Sequence, residues 1–225
     1  MRGSNTIDAM ATEPGPRKPP QPLESYPRYR RLVGPPHRYD LLAAMQFNLL
    51  TSLGLREDHH LLDVGCGSLR GGRLFIPYLL PGHYFGIEPD RALVEEGIDS
   101  ELGRDILTVK NPTFEYRDDF RLTVFGRDFE FVLAQSIFSH ATADQVRTCL
   151  AEAKQVLQPG GTMAATFYEG EENYAGDSWV YPGRVFYRFD FMDSAARQAG
   201  LRVERLEWPH PSLQSWLRFS HAEPD

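Results

Sequence analysis

From residue 40 onwards the chain switches between two apolar rhythms. Leu41, Leu42, Met45, Leu49 and Leu50 recur at helical spacing, with Asp40 as the expected N-cap and Gly54 as the stop. Residues 60–64 then read as an apolar strand, with Asp63 as its charged position. Both signals repeat along the chain. Strands are expected at 84–88, 114–117, 129–135, 161–168, 201–207 and 215–219. Helices are expected at 74–80 (with Pro77 inside and the Pro81-Gly82 turn after), at 91–101, at 144–157 before Gln158-Pro159-Gly160-Gly161, and at 190–199 before Gly200. Repeated β-then-α units predict an α/β fold with a doubly wound, mostly parallel sheet. Such sheets take ligands at the carboxyl ends of their central strands, so functional residues are expected just after strands.

Before residue 40 the pattern is different. Eight of the seventeen prolines fall between Pro14 and Pro36, which predicts extended or disordered chain there. The organisation expected is therefore a flexible Pro-rich arm over 1–36 and a single domain over 37–225. The opening Met1-Arg2-Gly3-Ser4 reads as an expression leader. With 225 residues, 41% of them hydrophobic, the chain has material for one full-sized α/β domain.

A net charge of −7 argues against broad attraction to nucleic acid or an anionic membrane. Arg28, Arg30, Arg31 and Arg38 form a local basic cluster, read as a solvated charged arm. Cys66 and Cys149 give no disulfide framework, which points to a reduced, cytoplasmic setting. No apolar stretch approaches the roughly 20 residues that span a bilayer, and no apolar signal core opens the chain. No spacing of His, Cys and Asp resembles a metal site.

The chemistry concentrates in four segments. In "LLDVGCGSLRGG" (61–72), four glycines follow a strand and precede a helix, so a ligand can approach bare backbone and its free N–H groups. The dinucleotide fingerprints would need a third glycine at position 69 or 70, and those positions hold Leu69 and Arg70. In "YFGIEPD", Glu88 ends the second strand, 25 residues after Asp63, placed to accept from both hydroxyls of an adenosine ribose. In "YRDDF", Asp118 and Asp119 offer a carboxylate to an adenine amino group, and Phe120 offers a face to the ring. In "FEFVLAQSIFSH", the strand emerges at Gln135 and Ser136, with His140 one turn further on, a candidate to accept a proton at neutral pH.

Taken in order, these segments and "AEAKQVLQPGGTMAATF" resemble the class I S-adenosylmethionine-dependent methyltransferases over roughly residues 40–217. The resemblance implies a Rossmann-like, seven-stranded sheet whose last strand is antiparallel, with S-adenosyl-L-methionine as cofactor. It implies that Asp63, Gly65, Cys66 and Gly67 surround the methionine part and that Glu88 holds the ribose. Asp118 or Asp119 would take the adenine amino group beside Phe120, and Gln135 and Ser136 would line the reactive side. The departure is "SLRGG", which alters the course of the loop over the methionine tail. An NAD-dependent oxidoreductase is the rival at the level of the fold.

The acceptor is approached by exclusion. The Asn/Asp-Pro-Pro-aromatic motif of enzymes that methylate nucleic-acid amino groups is replaced by Ala134-Gln135-Ser136-Ile137. Neither cysteine fits base-carbon methylation, so no nucleic-acid substrate is expected. What remains is a small molecule, methylated on a hydroxyl such as that of a sugar or specialised metabolite, with His140 as general base. Tyr168, Trp208 and His210, in aromatic segments outside the core motifs, are candidate substrate contacts. Arg28, Arg30 and Arg184 are candidates for an acidic group on the acceptor. A protein or peptide methyltransferase that engages its partner through the Pro- and Arg-rich arm is the alternative.

Overall fold

The computed structural model describes residues 21–222; the leader and the first part of the proline-rich arm lie outside the described residues. Where extended chain was expected, the segment ahead of the domain makes 3-10 turns at Leu23–Ser25 and Pro36–Arg38 and a short helix α1, Arg28–Arg31. Proline suits such turns because its φ is preset and its missing N–H is not needed in a first turn. Helix α2, Tyr39–Ser52, follows directly, and Gly54 with φ +107° closes it as expected. Asp40 does not cap it. That carboxylate lies in the first turn and pairs with Arg73 at 2.6 Å.

The β-then-α alternation is present throughout. Strand β1 (Leu61–Val64) leads through the glycine loop to α3 (Gly72–Tyr78), and β2 (Tyr84–Ile87) leads to α4 (Arg91–Gly97), capped by Asp90. A π-helical turn, Ile98–Leu102, extends α4 to about the expected length. Next come α5 (Asp105–Lys110), β3 (Thr113–Glu115) and β4 (Phe129–Ala134). Helix α6 (Ala143–Val156) starts with a capping box between Thr142 and Gln145. Strand β5 (Leu157–Glu169), the two-residue β6 (Phe186–Tyr187), α7 (Phe189–Gln198), β7 (Leu201–Leu206) and β8 (Ser215–His221) complete the domain. The Gln158-to-Gly161 stretch, expected to close α6, lies inside β5 as an irregularity in its pairing with β4.

Seven strands form one sheet in the order β3-β2-β1-β4-β5-β8-β7, and β6 adds to β5. Strand β8 runs antiparallel to both β5 and β7; all other pairs are parallel. The order reverses at β1, whose neighbours are β2 and β4, and the crevice for a ligand opens at the carboxyl ends of those strands.

Strand periodicity decides which side chains reach that crevice from below. Leu62, Val64, Val132 and Ala134 pack towards α6 and α7, while Leu61, Phe131 and Leu133 pack towards α2 and α3. Asp63 and Gln135 continue the second set, so two polar side chains face the α2–α3 layer at the strand ends. Helix α2 meets them with Gln46, the one polar residue among Leu42, Met45, Leu49 and Leu50 on its buried face.

Candidate functional site

The glycine loop is built around alternate left-handed residues: Gly65 at φ +69°, Gly67 at +57° and Leu69 at +59°. Leu69 therefore adopts the conformation that the fingerprint glycine would supply, held there by complete burial of its side chain. The N–H groups of Gly65 and Cys66 both donate to the Ile87 carbonyl, which ties the loop to β2. A Cβ at Gly65 would lie 2.2 Å from Ile137 Cδ1, and one at Gly67 would lie 2.7 Å from Val33 Cγ1. Cys66 is buried beneath the loop, and burial pushes its thiol well above the ordinary range, so it is no nucleophile.

Glu88, just past β2, accepts from the Gly67 N–H through Oε2 and from the Asp90 N–H through Oε1, each at 3.0 Å. Burial raises its carboxyl pKa. Asp63 is buried at the end of β1 and accepts from the Tyr84 hydroxyl at 2.8 Å. Burial pushes its carboxyl up to about 6.

The Asp118–Asp119 pair divides. Both oxygens of Asp119 take hydrogen bonds from Arg117, at 2.7 and 2.6 Å, whereas Asp118 is exposed and makes no hydrogen bond or ion pair among the described residues. Phe120, at φ +55°, packs against the core face that carries Ile137.

Gln135 is the hub of a buried polar network. Its Oε1 accepts from Gln46 Nε2 at 2.9 Å and from the Arg70 guanidinium, and its Nε2 donates to Ser136 Oγ at 2.6 Å. His210 Nε2 lies 3.2 Å from that amide nitrogen. Ser136, left-handed at φ +61°, is held by its N–H to Thr166 Oγ1 and by Gln214 Nε2 donating to its hydroxyl. Thr166 in turn donates to Gln214 Oε1 at 2.5 Å. Of the substrate candidates, only His210 joins this network. Tyr168 packs on Phe186 and lies under the Arg184 guanidinium, 5.2 Å from ring centroid to Cζ, and Trp208 packs on the α2–α3 side of the core.

His140 is placed by the segment between β5 and β6. Its Nδ1 faces the carbonyls of Val180 at 2.9 Å and Gly183 at 2.8 Å, and its ring lies against Trp179 and Tyr181. Two acceptors at Nδ1 assign the proton to that nitrogen and leave Nε2 with its lone pair. Burial lowers the imidazole pKa below 6.5.

Sequence reasoning missed two groups. The first is Arg70, read only as a missing glycine, with Gln46 beside it; the sequence signal was a polar residue on an otherwise apolar helix face. The second is a strap, residues 28–38, that crosses the loop. Arg28, still exposed, pairs with Glu96 and Asp90, and the half-buried Arg30 pairs with Glu101 at 2.5 Å, so both arginines engage the domain's own acids. Tyr181 donates to the Leu32 carbonyl at 2.8 Å, joining strap to insertion.

Asp63, Gly65, Cys66, Gly67, Arg70, Gln135, Gln46 and Val33 enclose about 30 Å³ of water-sized space. A larger cavity of about 280 Å³, lined by His59, Glu130, Gln158 and Arg218, lies at the opposite, amino ends of β4 and β5. No cluster of three or more metal-binding side chains occurs among the described residues, and none of their helices is long and apolar enough to cross a membrane.

The fold and the loop define a doubly wound α/β protein with a crevice at the carboxyl ends of β1 and β2. A family model described as a methyltransferase domain matches residues 62–163, the stretch that holds the glycine loop, Glu88 and β4. That stretch is therefore similar to methyltransferase domains, and the cofactor it points to is S-adenosyl-L-methionine. Solved structures share the fold. DesVI of Streptomyces venezuelae is 19% identical, with a TM-score of 0.60 over 82% of this chain and 92% of that one. Magnesium protoporphyrin IX methyltransferase of Synechocystis, solved with S-adenosylmethionine bound, is 14% identical, with a TM-score of 0.62 over 87% and 90%. The CcbJ methyltransferase of Streptomyces caelestis is 15% identical, with a TM-score of 0.63 over 89% and 95%.

The residues present fit that cofactor. Glu88 offers a carboxylate at the tip of β2, Gly65 and Gly67 leave the backbone bare, and Arg70 Nε is buried without a partner. Val33 and Ile137 stand over the two glycines.

Proposed function

We propose that the protein transfers a methyl group from S-adenosyl-L-methionine to a hydroxyl of a small molecule, such as a sugar or specialised metabolite. The sulfonium supplies a methyl group already activated for transfer, so the chain's work is alignment, exclusion of water and, for a hydroxyl acceptor, removal of a proton. The observation that carries the reading is His140. With Nδ1–H held by two backbone carbonyls, Nε2 is the proton-accepting atom of an oriented, neutral imidazole. Trp179 and Tyr181 beside it give the acceptor aromatic surface, as expected for a mostly apolar or sugar-like ligand.

In this reading Glu88 holds the ribose hydroxyls once released from the Gly67 N–H, and Asp118, rather than Asp119, receives the adenine amino group beside Phe120. Gln135 and Ser136 line the reacting side, with His210 behind Gln135. Tyr168, near the end of β5, and Trp208, just past β7, remain candidate acceptor contacts. Engagement of Arg28 and Arg30 with the domain's own acids favours a small acceptor over a peptide gripped by the arm.

The test is transfer of labelled methyl from the cofactor into a metabolite extract and, separately, a protein lysate. Label is expected in metabolites, in a product whose new methyl is bonded to oxygen by NMR. Label confined to protein, or a product methylated on nitrogen or carbon, overturns the reading. His140→Ala is expected to lower turnover on a hydroxyl acceptor by about 10²-fold or more while cofactor affinity holds.

A further inference from the structure

We infer that Arg70 anchors the α-carboxylate of the cofactor's methionine, the task left open by a loop that lacks its third glycine. Arg70 is 8% exposed and lines the same small space as Asp63, Gly65 and Gly67. Its guanidinium is satisfied only in part, and only by neutral groups. One terminal nitrogen donates to the Val33 carbonyl and the other to Gln135 Oε1, while Nε is buried without any partner. Among the described residues no carboxylate forms an ion pair with it. Glu88 is held by two backbone N–H groups, and Asp63 spends a carboxylate oxygen on Tyr84.

A buried guanidinium with no ion-pair partner and an unpartnered Nε keeps the capacity to take an anionic ligand. The geometry limits which anion. Asp63 lines the same space as Arg70, and the two are not joined to each other, so the site offers one buried negative and one buried positive group side by side. That is the electrostatic complement of a zwitterionic amino-acid end, ammonium towards Asp63 and carboxylate towards Arg70. Gln46 and Val33, from α2 and the strap, hold the guanidinium in place by sharing Gln135 and its terminal nitrogens.

Calorimetry without turnover tests this, using S-adenosylhomocysteine, its carboxyl methyl ester and 5′-methylthioadenosine, which lacks the amino-acid end. For the unaltered protein, esterification is expected to weaken binding at least tenfold; equal affinity for acid and ester overturns the inference. Arg70→Met is expected to weaken S-adenosylhomocysteine about ten- to a hundredfold, to change 5′-methylthioadenosine less than threefold, and to abolish the difference between acid and ester. Equal losses for all three ligands would show a role in loop shape alone and overturn it. So would an acid–ester difference that survives Arg70→Met. Arg70→Lys, which keeps charge without the fork, is expected to recover part of the lost affinity, and the ester comparison needs no variant at all.

Discussion

Leu69 carries two opposed demands. Its left-handed backbone costs about 1–2 kcal/mol relative to glycine, and its side chain is fully buried. Removing a buried leucine side chain costs about 2–5 kcal/mol, so burial outweighs the backbone strain. Leu69→Gly is therefore expected to destabilise the protein by about 1–3 kcal/mol despite restoring the fingerprint residue, as read from urea unfolding. The sequence shows the missing glycine plainly; the compensation is invisible there because it lies in tertiary packing. The same is true of Arg70, whose meaning depends on Val33 and Gln135, 37 and 65 positions away.

Two buried titratable residues at the site pull stability in opposite directions with pH. Burial, with Arg70 and Arg38 nearby, lowers the His210 imidazole to about 4. The unfolded chain takes up that proton near 6.5, so between these values the unfolded state binds more protons and stability falls with falling pH. Asp63, raised to about 6, behaves oppositely: the native state is protonated first, and stability gained on acidification accrues from about 6 down towards the ordinary carboxylate range. His210→Asn removes the first effect alone. Its loss of stability between pH 7 and pH 5 is expected to be smaller than the parent's by about 1–2 kcal/mol, measured as urea midpoints at the two pH values.

Among the elements, the strap and the segment between β5 and β6 act as one cover. Val33 rests on Gly67, and the Tyr181 hydroxyl reaches the Leu32 carbonyl across the site. Tyr181→Phe removes that bond and little else. Faster amide exchange over residues 28–38 and a several-fold faster release of S-adenosylhomocysteine are expected, by hydrogen exchange and stopped flow. An unchanged exchange pattern would mean that the arginine pairs to Glu96 and Glu101 hold the strap unaided.

The regular elements were legible because they follow local rhythms, and the strands and α2, α6 and α7 fall within a few residues of expectation. Those missed lack the rhythm: α5 is six residues long and buries none of its side chains, and β6 is two residues long. The strap was misread because proline content speaks against long helices but says nothing about docking. Tyr29 is buried and its hydroxyl meets Glu101 at 2.7 Å, a contact set by a residue 72 positions away.

At the scale of the whole molecule, the doubly wound sheet predicted from alternating units carries the site to the carboxyl ends of its central strands, beside β1. Asp63, Glu88 and Gln135 were found in sequence for that reason: each stands at or just beyond a strand's carboxyl end. Binding there links to the stability of the entire domain. At about a hundred times its dissociation constant, S-adenosylhomocysteine is expected to stabilise the fold by about 2.7 kcal/mol and to raise the melting temperature by roughly 5–10 °C. NAD at equal concentration is expected to leave it unchanged; a shift with NAD alone would contradict the cofactor's identity.

The bond between Tyr181 and Leu32 also has a consequence in time. One hydroxyl links the cover of the cofactor loop to the segment that carries His140's anchoring carbonyls, so opening either half alone breaks that bond. Release of S-adenosylhomocysteine is then expected to slow when a ligand on the acceptor's side holds the segment between β5 and β6 closed, a coupling that stopped flow reads.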